Sequence, residues 1–203
     1  MLHSFVYLAS QSPRRVQLLD QLGVQHRPLL PAARDNAERL EIERSDEPPL
    51  DYVRRVALAK LHAARQRRVQ RGLADGPILT ADTTVAAGRR ILGKPADADD
   101  AAEMLARLSG RWHQVHTAVA VSHGAQSLLG ISTSRVRFAA LSQLTVEQYI
   151  ASGEPFGKAG AYAIQGPISA WIERIEGSYS GIMGLPLFET RELLARAGVR
   201  FRI

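Results

Sequence analysis

The sequence predicts an α/β fold in which a mixed, twisted sheet is flanked by helices. Segments with helical and strand-like patterns interleave along the chain, which is typical of this class. Residues 114–141 alternate and are rich in β-branched side chains, as two long antiparallel strands would be. The 203 residues are 45% hydrophobic and 23% charged, ordinary values for a chain that buries a core. We expect one domain spanning residues 1–203.

The N-terminal part of the chain predicts a strand, a tight turn and a helix. Residues 5–10 (FVYLAS) are apolar with aromatic and β-branched members, which favours a strand. Ser12 and Pro13 then predict the start of a helix, because serine is a good N-cap and proline suits the first helical position. Gly23 is placed to end this helix.

The central part predicts a long loop followed by a helix, a strand and a second helix. Residues 31–49 are polar without a clear period, and such long loops are usually functional or disordered. Residues 51–71 predict a long helix, and residues 77–87 a strand that turns at 88–90 and pairs back. Residues 97–108 form an amphipathic helical pattern.

The C-terminal part predicts two strands, a helix, a glycine-rich loop with a strand, and a last helix. The strands in 114–141 join at 122–124, and residues 146–152 read as a short helix. Residues 157–175 hold the glycine-rich loop and the strand SAWIERI, and 187–197 the final helix.

Composition excludes several classes of protein. The chain has no cysteine, which excludes disulfides, cysteine-ligated zinc, a cysteine nucleophile and iron–sulfur clusters. No stretch approaches the ~18 apolar residues of a membrane span, and arginines follow the N-terminal apolar run instead of preceding it, unlike a signal peptide. We therefore expect a cytoplasmic protein. The net charge of +6 favours an anionic partner, with arginines on solvated faces as the alternative.

Residues 10–15 (SQSPRR) are a candidate anion site. A serine-rich turn at a helix N-terminus presents backbone N–H groups and the positive end of the helix dipole. Arg14 and Arg15 would be unfavourable in that first turn unless an anion binds there. The alternative is that Ser12 merely caps the helix and both arginines are solvated.

Lys60 and Asp82 are candidates because of their positions in predicted elements. Lys60 falls on the apolar stripe of the helix with Val53 and Ala57, so it either extends to solvent or faces a ligand. Asp82 follows an apolar stretch at the predicted end of a core strand, between hydroxyl residues. Such a carboxylate can hold a hard cation or orient a water, or else cap a turn.

Two glycine-containing segments complete the candidates. Residues 88–95 (GRRILGKP) are a near miss to a P-loop, because proline stands where the magnesium-binding Ser/Thr would be; Lys94 remains a candidate phosphate contact. Residues 158–166 (KAGAYAIQG) are small enough for a ligand to approach the backbone. Gln165 in this loop carries both a donor and an acceptor for a base edge.

Two histidines three residues apart, His113 and His116, invite interpretation as metal ligands. On a strand this separation places them on opposite faces, so both are expected to be structural.

Six motifs together resemble the Maf family of nucleoside triphosphate pyrophosphatases. They are LASQSPRR, ADTTV, GKP, LSGRWHQVHTAV, KAGAYAIQG and GLPL, running in this order from Leu8 to Leu187. The resemblance implies an ITPase-like α/β fold with a deep nucleotide-binding cleft, a homodimer, and hydrolysis of nucleoside triphosphates to monophosphate and pyrophosphate with Mg²⁺ or Mn²⁺. The KAGAY…IQG form is similar to the branch that acts on dTTP and UTP.

The resemblance also assigns roles by position. Asp82 matches the catalytic acidic residue. Asp35 matches the second of two paired acidic residues and would bind the metal together with Asp82, whereas Arg34 replaces the first. The phosphate-binding set is Ser10, Ser12, Arg14, Arg15, Lys60 and Lys94. The positions linked to base choice are Arg14, Thr83 and Gln165.

The leading hypothesis is a metal-dependent enzyme that hydrolyses dTTP, UTP and modified pyrimidine nucleotides. In the expected mechanism Asp82, helped by Asp35, holds the metal and orients or deprotonates a water for in-line attack at the α-phosphorus. The same reaction on 7-methyl-GTP or purine triphosphates is an alternative. A catalytically weak regulator that binds nucleic acid through the arginines of residues 54–71 is another, although aromatic residues are only 6%. A Maf-like protein that has lost activity is a third.

Overall fold

The computed structural model describes residues 2–32 and 37–202, and these residues form a mixed α/β structure around a seven-stranded sheet. The strands are β1 (Val6–Leu8), β2 (His26–Pro28), β3 (Ile78–Ala87), β4 (Arg90–Leu92), β5 (Trp112–His123), β6 (Gln126–Phe138) and β7 (Ile172–Glu176). The α-helices are α1 (Pro13–Gln21), α2 (Pro49–Gln70), α3 (Ala98–Leu108), α4 (Gln143–Ala151), α5 (Tyr179–Met183) and α6 (Leu187–Arg196). Short 3₁₀ helices are Ala37–Glu41, Ala159–Ala161 and Pro167–Trp171.

The sheet has the order β2-β1-β3-β5-β6-β7, with β4 paired to part of β3. Strand β1 runs parallel to both β2 and β3, whereas β3–β5, β5–β6 and β6–β7 are antiparallel. The parallel pairs are reached through helical crossovers, as parallel strands require. The predicted mixed sheet with flanking helices is therefore confirmed.

Helices cover both faces of the sheet because its central strands are apolar on both faces. Ile78 contributes to the core beneath α2, where Ala57 and Leu61 pack, and the adjacent Leu79 contributes to the core formed with α1 and α6. Successive strand residues point to opposite faces, so each central strand supplies both layers. Burying one leucine-sized side chain stabilises the fold by about 1.5–3 kcal/mol. A third cluster, around Phe138, packs α3 and α4 on the sheet.

Three elements differ from the sequence-based expectation. The strand expected to include residues 169–171 begins only at Ile172, because Pro167 follows Gly166 and the chain closes a 3₁₀ turn from Ser169 N–H to the Gly166 carbonyl. Strand β2 and helix α5 were not predicted, since three and five residues are too short for a clear period.

Helix α1 starts where the sequence predicts, but the Ser12 side chain does not form the expected capping hydrogen bond. Ser12 occupies the N-cap position, yet its side chain makes no hydrogen bond to the helix. Its own N–H instead donates to Ser10 Oγ at 3.2 Å. The two serines therefore shape the turn between β1 and α1.

None of the helices in the described ranges combines the length and the hydropathy that a membrane span needs.

Candidate active site

A cavity of about 660 Å³ opens where the turn after β1, α2, β3 and the loop after α4 meet. The nine predicted site residues within the described part of the chain all line it: Ser10, Ser12, Arg14, Arg15, Lys60, Asp82, Thr83, Lys94 and Gln165. The remaining candidate, Asp35, lies outside the described residues, as does Arg34. Residues that are far apart along the chain thus converge on one space.

Asp82 lies in the middle of β3, not at the end of a strand as the sequence indicated. The strand continues past it because Thr83 and Thr84 pair in register with Thr117 and His116 of β5. Asp82 is only 6% exposed, and its Oδ1 accepts a hydrogen bond from Lys60 Nζ at 2.7 Å. A buried carboxylate is unfavourable without such a partner.

Lys60 faces the cavity and does not extend along α2 to solvent. Its ammonium group contacts Asp82 Oδ1 and also Glu41 Oε1, each at 2.7 Å. The apolar stripe on which the sequence places Lys60 therefore leads to the cavity. Of the two positions left open by the sequence, solvent or a binding site, the structure directs Lys60 into the cavity; that it contacts a ligand there stays a prediction.

Glu41 is the acidic side chain that the sequence analysis missed. Its Oε2 accepts from Lys94 Nζ at 2.7 Å, so one carboxylate joins Lys60 and Lys94. Burial raises the pKa of Glu41, but the charges and hydrogen bonds of the two lysines outweigh it and lower the pKa to about 2. The only sequence signal was the length of the polar loop in which Glu41 lies, because no period or motif distinguishes this glutamate.

Arg15 ties the first turn of α1 to the opposite side of the cavity. Its guanidinium donates to the Gly184 carbonyl at 2.8 Å, to Ser10 Oγ at 3.1 Å and to Thr83 Oγ1 at 3.4 Å. Burial lowers the pKa of Arg15, and the charge of Asp82 opposes this effect. Three contacts to three segments hold the turn in one geometry, with the backbone N–H groups at the start of α1 beside the cavity.

Thr83 takes part in a directed chain of hydrogen bonds. Thr117 Oγ1 donates to the Gly181 carbonyl at 2.7 Å, which uses its only proton. Thr83 Oγ1, 2.9 Å from Thr117 Oγ1, must then be the donor in that pair. Since Arg15 also donates to Thr83, a ligand would find a lone pair of Thr83 Oγ1 and no proton there.

The glycine-rich loop forms the side of the cavity that holds Gln165. Gly160 N–H donates to the Gly93 carbonyl at 2.9 Å, which joins this loop to the segment carrying Lys94. Gln165 is exposed and lines the cavity. Lining residues that the sequence analysis did not name include Tyr52 and Phe156. Phe156 lies two residues before the KAGAYAIQG segment, so that motif was the available signal.

The two histidines point to separate partners, as expected for opposite strand faces. His113 Nε2 lies 2.8 Å from Tyr162 Oη, and His116 Nδ1 lies 2.9 Å from Thr133 Oγ1. Burial lowers the pKa of both histidines. Residues 2–32 and 37–202 contain no group of three or more His, Cys, Asp or Glu side chains arranged to hold a metal.

Comparison with known protein sequences places this chain in a family. The sequence model described as "Maf-like protein" matches residues 5–197. A dTTP/UTP pyrophosphatase of Cupriavidus metallidurans is 59% identical over 198 residues, covering 98% of this chain and 99% of that protein. Proteins with the same name from Polaromonas sp. and Burkholderia pseudomallei are 56% and 57% identical, covering 97% and 98% of this chain and 97% and 96% of their own lengths.

Among solved structures, a nucleoside-triphosphatase described as a dITP/XTP pyrophosphatase from Mycobacterium abscessus is similar over 67% of this chain and 75% of its own. The TM-score is 0.38 and the sequence identity 17%, too low to add to the argument. The sequence matches are much stronger evidence, because they extend over nearly the whole chain and the relatives are more than 50% identical to it. On that ground the chain belongs to the family of Maf-like proteins.

Proposed function

We propose that this protein hydrolyses nucleoside triphosphates, with dTTP and UTP as its main substrates, to the nucleoside monophosphate and pyrophosphate. The observation that carries the proposal is the buried carboxylate of Asp82 in the wall of a cavity that several basic side chains also line. Relatives more than half identical to this chain are named dTTP/UTP pyrophosphatases. The proposal extends that activity to this chain.

The cavity has the charge that a triphosphate requires. Arg14, Arg15, Lys60 and Lys94 line it together with the N-terminal turn of α1. A triphosphate carries three to four negative charges, and charge-assisted hydrogen bonds with free backbone N–H groups suit such an anion. The first turn of α1 contains no acidic residue that would oppose it. We therefore assign Ser10, Ser12 and these four basic residues to phosphate binding.

The donor atoms available in the cavity fit a magnesium or manganese ion. Asp82 supplies carboxylate oxygens, and Mg²⁺ needs only one or two carboxylates beside phosphate oxygens and water. Asp82, with Asp35 by the family resemblance, would hold the ion. When bound, the ion would neutralise charge on the phosphates and make a bound water more acidic.

The protein's own residues would then position and stabilise the reacting groups. Asp82 orients or deprotonates the water that attacks the α-phosphorus in line with the departing pyrophosphate. Lys60 and Lys94 bind phosphate oxygens and neutralise the charge of the triphosphate.

Gln165, in the glycine-rich loop that lines the cavity, would read the base. Its amide offers one acceptor and two donor hydrogens, and thymine and uracil share the same N–H and carbonyl edge. A single amide therefore fits both substrates. Arg14 and Thr83 are assigned to the same base choice by the resemblance.

The test is pyrophosphate release from a panel of nucleoside triphosphates, with and without Mg²⁺ or Mn²⁺. We expect metal-dependent release from dTTP and UTP. Release only from 7-methyl-GTP or purine triphosphates would retain the reaction and overturn the base assignment. No release from any member, modified pyrimidine nucleotides included, would overturn the proposed function in favour of an inactive or regulatory Maf-like protein.

The positions of the α2 arginines argue against the nucleic-acid alternative. Several bind carbonyls or an aspartate of neighbouring loops, and are thereby engaged within the fold: Arg65 with Gln126, Arg67 with Leu29, Arg68 with Asp75 and Arg71 with Leu30. We expect little DNA binding, whereas a DNA affinity that falls steeply with salt would favour this alternative.

We propose in addition a single domain, a homodimer and a cytoplasmic location. The family match over residues 5–197 supports the single domain, and the resemblance supports the dimer. Sedimentation velocity and cell fractionation test the last two.

A further inference from the structure

Glu41 joins two lysines that come from unrelated parts of the fold. Lys60 belongs to α2, whereas Lys94 follows β4, and one carboxylate contacts both ammonium groups at 2.7 Å. The Lys60 side chain is 18% exposed and that of Lys94 is 52% exposed. Lysine side chains are long, and they lose conformational entropy when a ligand fixes them. The bridge restricts both lysines before any ligand arrives.

The backbone around Glu41 is held in place by α2. Carbonyls of residues 40–42 accept, in order, from Arg55 Nη1 at 3.3 Å, from Tyr52 Oη at 2.8 Å and from Arg55 Nη2 at 3.0 Å. Arg55 is in turn fixed by two hydrogen bonds to the Glu47 carboxylate, at 2.6 and 2.7 Å. Three successive carbonyls fixed by one helix set the direction of the Glu41 side chain. Its position is therefore built into the fold.

The two lysines keep hydrogen-bonding capacity while they bind Glu41. An ammonium group has three donors. Lys60 directs one to Glu41 and one to Asp82, and Lys94 directs one to Glu41. The remaining donors are enough for phosphate oxygens to be bound without displacing the carboxylate.

We propose that Glu41 is a positioning residue that fixes the ammonium groups of Lys60 and Lys94 for triphosphate binding. This inference rests on the proposed function, because it takes the two lysines to be phosphate contacts. Glu41 acts through the lysines and touches no reacting atom. If Glu41 instead competed with the triphosphate for the lysines, removing its charge would tighten binding, so the two roles have opposite signs.

The first experiment compares Glu41→Gln and Glu41→Ala with the matched control Glu43→Gln. Glu43 is exposed two residues away, so its substitution removes the same charge near the cavity. We expect Glu41→Gln to raise KM for dTTP roughly tenfold, the effect of one charge-assisted contact, and Glu41→Ala to raise it further. We expect kcat to change much less, and Glu43→Gln to leave both constants close to wild type.

Binding of inorganic pyrophosphate, measured by titration calorimetry, gives a readout independent of turnover. Its Kd should rise in Glu41→Gln in parallel with KM. Unchanged affinity, or tighter binding, would overturn the positioning role. If the wild-type protein hydrolyses no nucleotide, the proposed function fails while this titration still tests Glu41. If the wild-type protein hydrolyses dTTP, and Glu41→Gln has the same KM for dTTP and the same Kd for pyrophosphate as Glu43→Gln, only the inference about Glu41 fails.

A double-mutant cycle with Lys94→Ala separates positioning from general destabilisation. If Glu41 acts through the lysines, Glu41→Gln should raise KM less in the Lys94→Ala background than in the wild type. Fully additive effects would contradict the proposal. Thermal unfolding of each variant verifies that the compared proteins are folded.

Discussion

Oδ1 of Asp82 lies 2.7 Å from Nζ of Lys60, which joins the centre of the sheet to the helix packed on it. Asp82 comes from the middle of β3 and Lys60 from α2, and both side chains point into the same cavity. The ion pair offsets part of the cost of removing each charge from water. It also places a carboxylate and an ammonium group side by side, where the proposed reaction would use a base and a phosphate contact.

Replacing Asp82 with asparagine should abolish most of the turnover and leave nucleotide binding largely in place. Asparagine keeps the shape and an acceptor oxygen for Lys60, but it removes the charge that would hold the metal and deprotonate water. We expect kcat to fall by roughly 10²–10⁴, the usual contribution of a general base. Stopped assays of dTTP hydrolysis measure kcat, and calorimetry with a non-hydrolysable dTTP analogue measures binding.

The matched control for this substitution is Asp99→Asn, an exposed aspartate in the first turn of α3. It should leave turnover unchanged. Wild-type kcat in Asp82→Asn would refute the mechanism, whereas loss of binding together with turnover would assign Asp82 a role in substrate affinity.

The sequence located most of this site because family motifs and helical period carry positional information. The period of α2 placed Lys60 on the stripe that leads to the cavity, and ADTTV identified Asp82. Neither the helical period nor a motif identified Glu41, because its position depends on hydrogen bonds from Tyr52 and Arg55 to backbone carbonyls. Backbone contacts of this kind leave no side-chain pattern, so a single sequence cannot show them.

Replacing Gln165 with alanine should erode base preference more than it reduces turnover of a poor substrate. The side chain is exposed within the cavity and offers both donor and acceptor. We expect the ratio of kcat/KM for dTTP over that for a purine triphosphate to fall about tenfold, as when one hydrogen bond to the base is lost.

Gln148→Ala, an exposed glutamine on α4, serves as the control and should leave the ratio unchanged. If Gln165→Ala keeps the full preference for dTTP, the base-reading assignment is wrong.

Only part of the strand order could be predicted from the sequence. Alternation in residues 114–141 predicts the β5–β6 pair, because sequential antiparallel strands register through one turn. The parallel pairing of β1 with both β2 and β3 depends on the packing of α1 and α2 against the sheet. No local sequence pattern encodes this parallel pairing. The three-residue strand β2 is too short to be predicted and is recognised only from its pairing with β1.

Gly160 should tolerate no side chain, which tests the packing of the glycine-rich loop. Its φ is +69°, and an added Cβ would lie 2.8–2.9 Å from three carbons of Val85. We expect Gly160→Ala to lower the free energy of unfolding by about 2–4 kcal/mol, from left-handed strain and overpacking together. Urea denaturation measures this change.

Gly153 provides the comparison, because its φ is +75° but an added Cβ would meet nothing within 4 Å. Gly153→Ala should lower the free energy of unfolding by only about 1–2 kcal/mol, because it adds the left-handed strain without overpacking. Equal losses in the two variants would show that the contact with Val85 is relieved by small shifts of the loop.

His113 should make the fold less stable as the pH falls through the acidic range. It is 3% exposed, stacked on Phe138 and hydrogen-bonded to Tyr162. Burial lowers its pKa from 6.5 to about 4. Between these values the unfolded chain binds a proton that the folded protein does not, so the free energy of unfolding decreases as pH drops from 6.5 to 4. The total decrease from this group is about 3 kcal/mol.

His113→Gln isolates this contribution, because glutamine keeps a polar partner for Tyr162 and does not titrate. Urea denaturation at pH values between 7 and 4 should give a shallower loss of stability in His113→Gln than in the wild type. His123→Gln, at an exposed histidine next to the β5–β6 turn, should follow the wild-type curve. Parallel curves for the wild type and His113→Gln would mean that His113 is protonated equally in the folded and unfolded states, against the burial seen here.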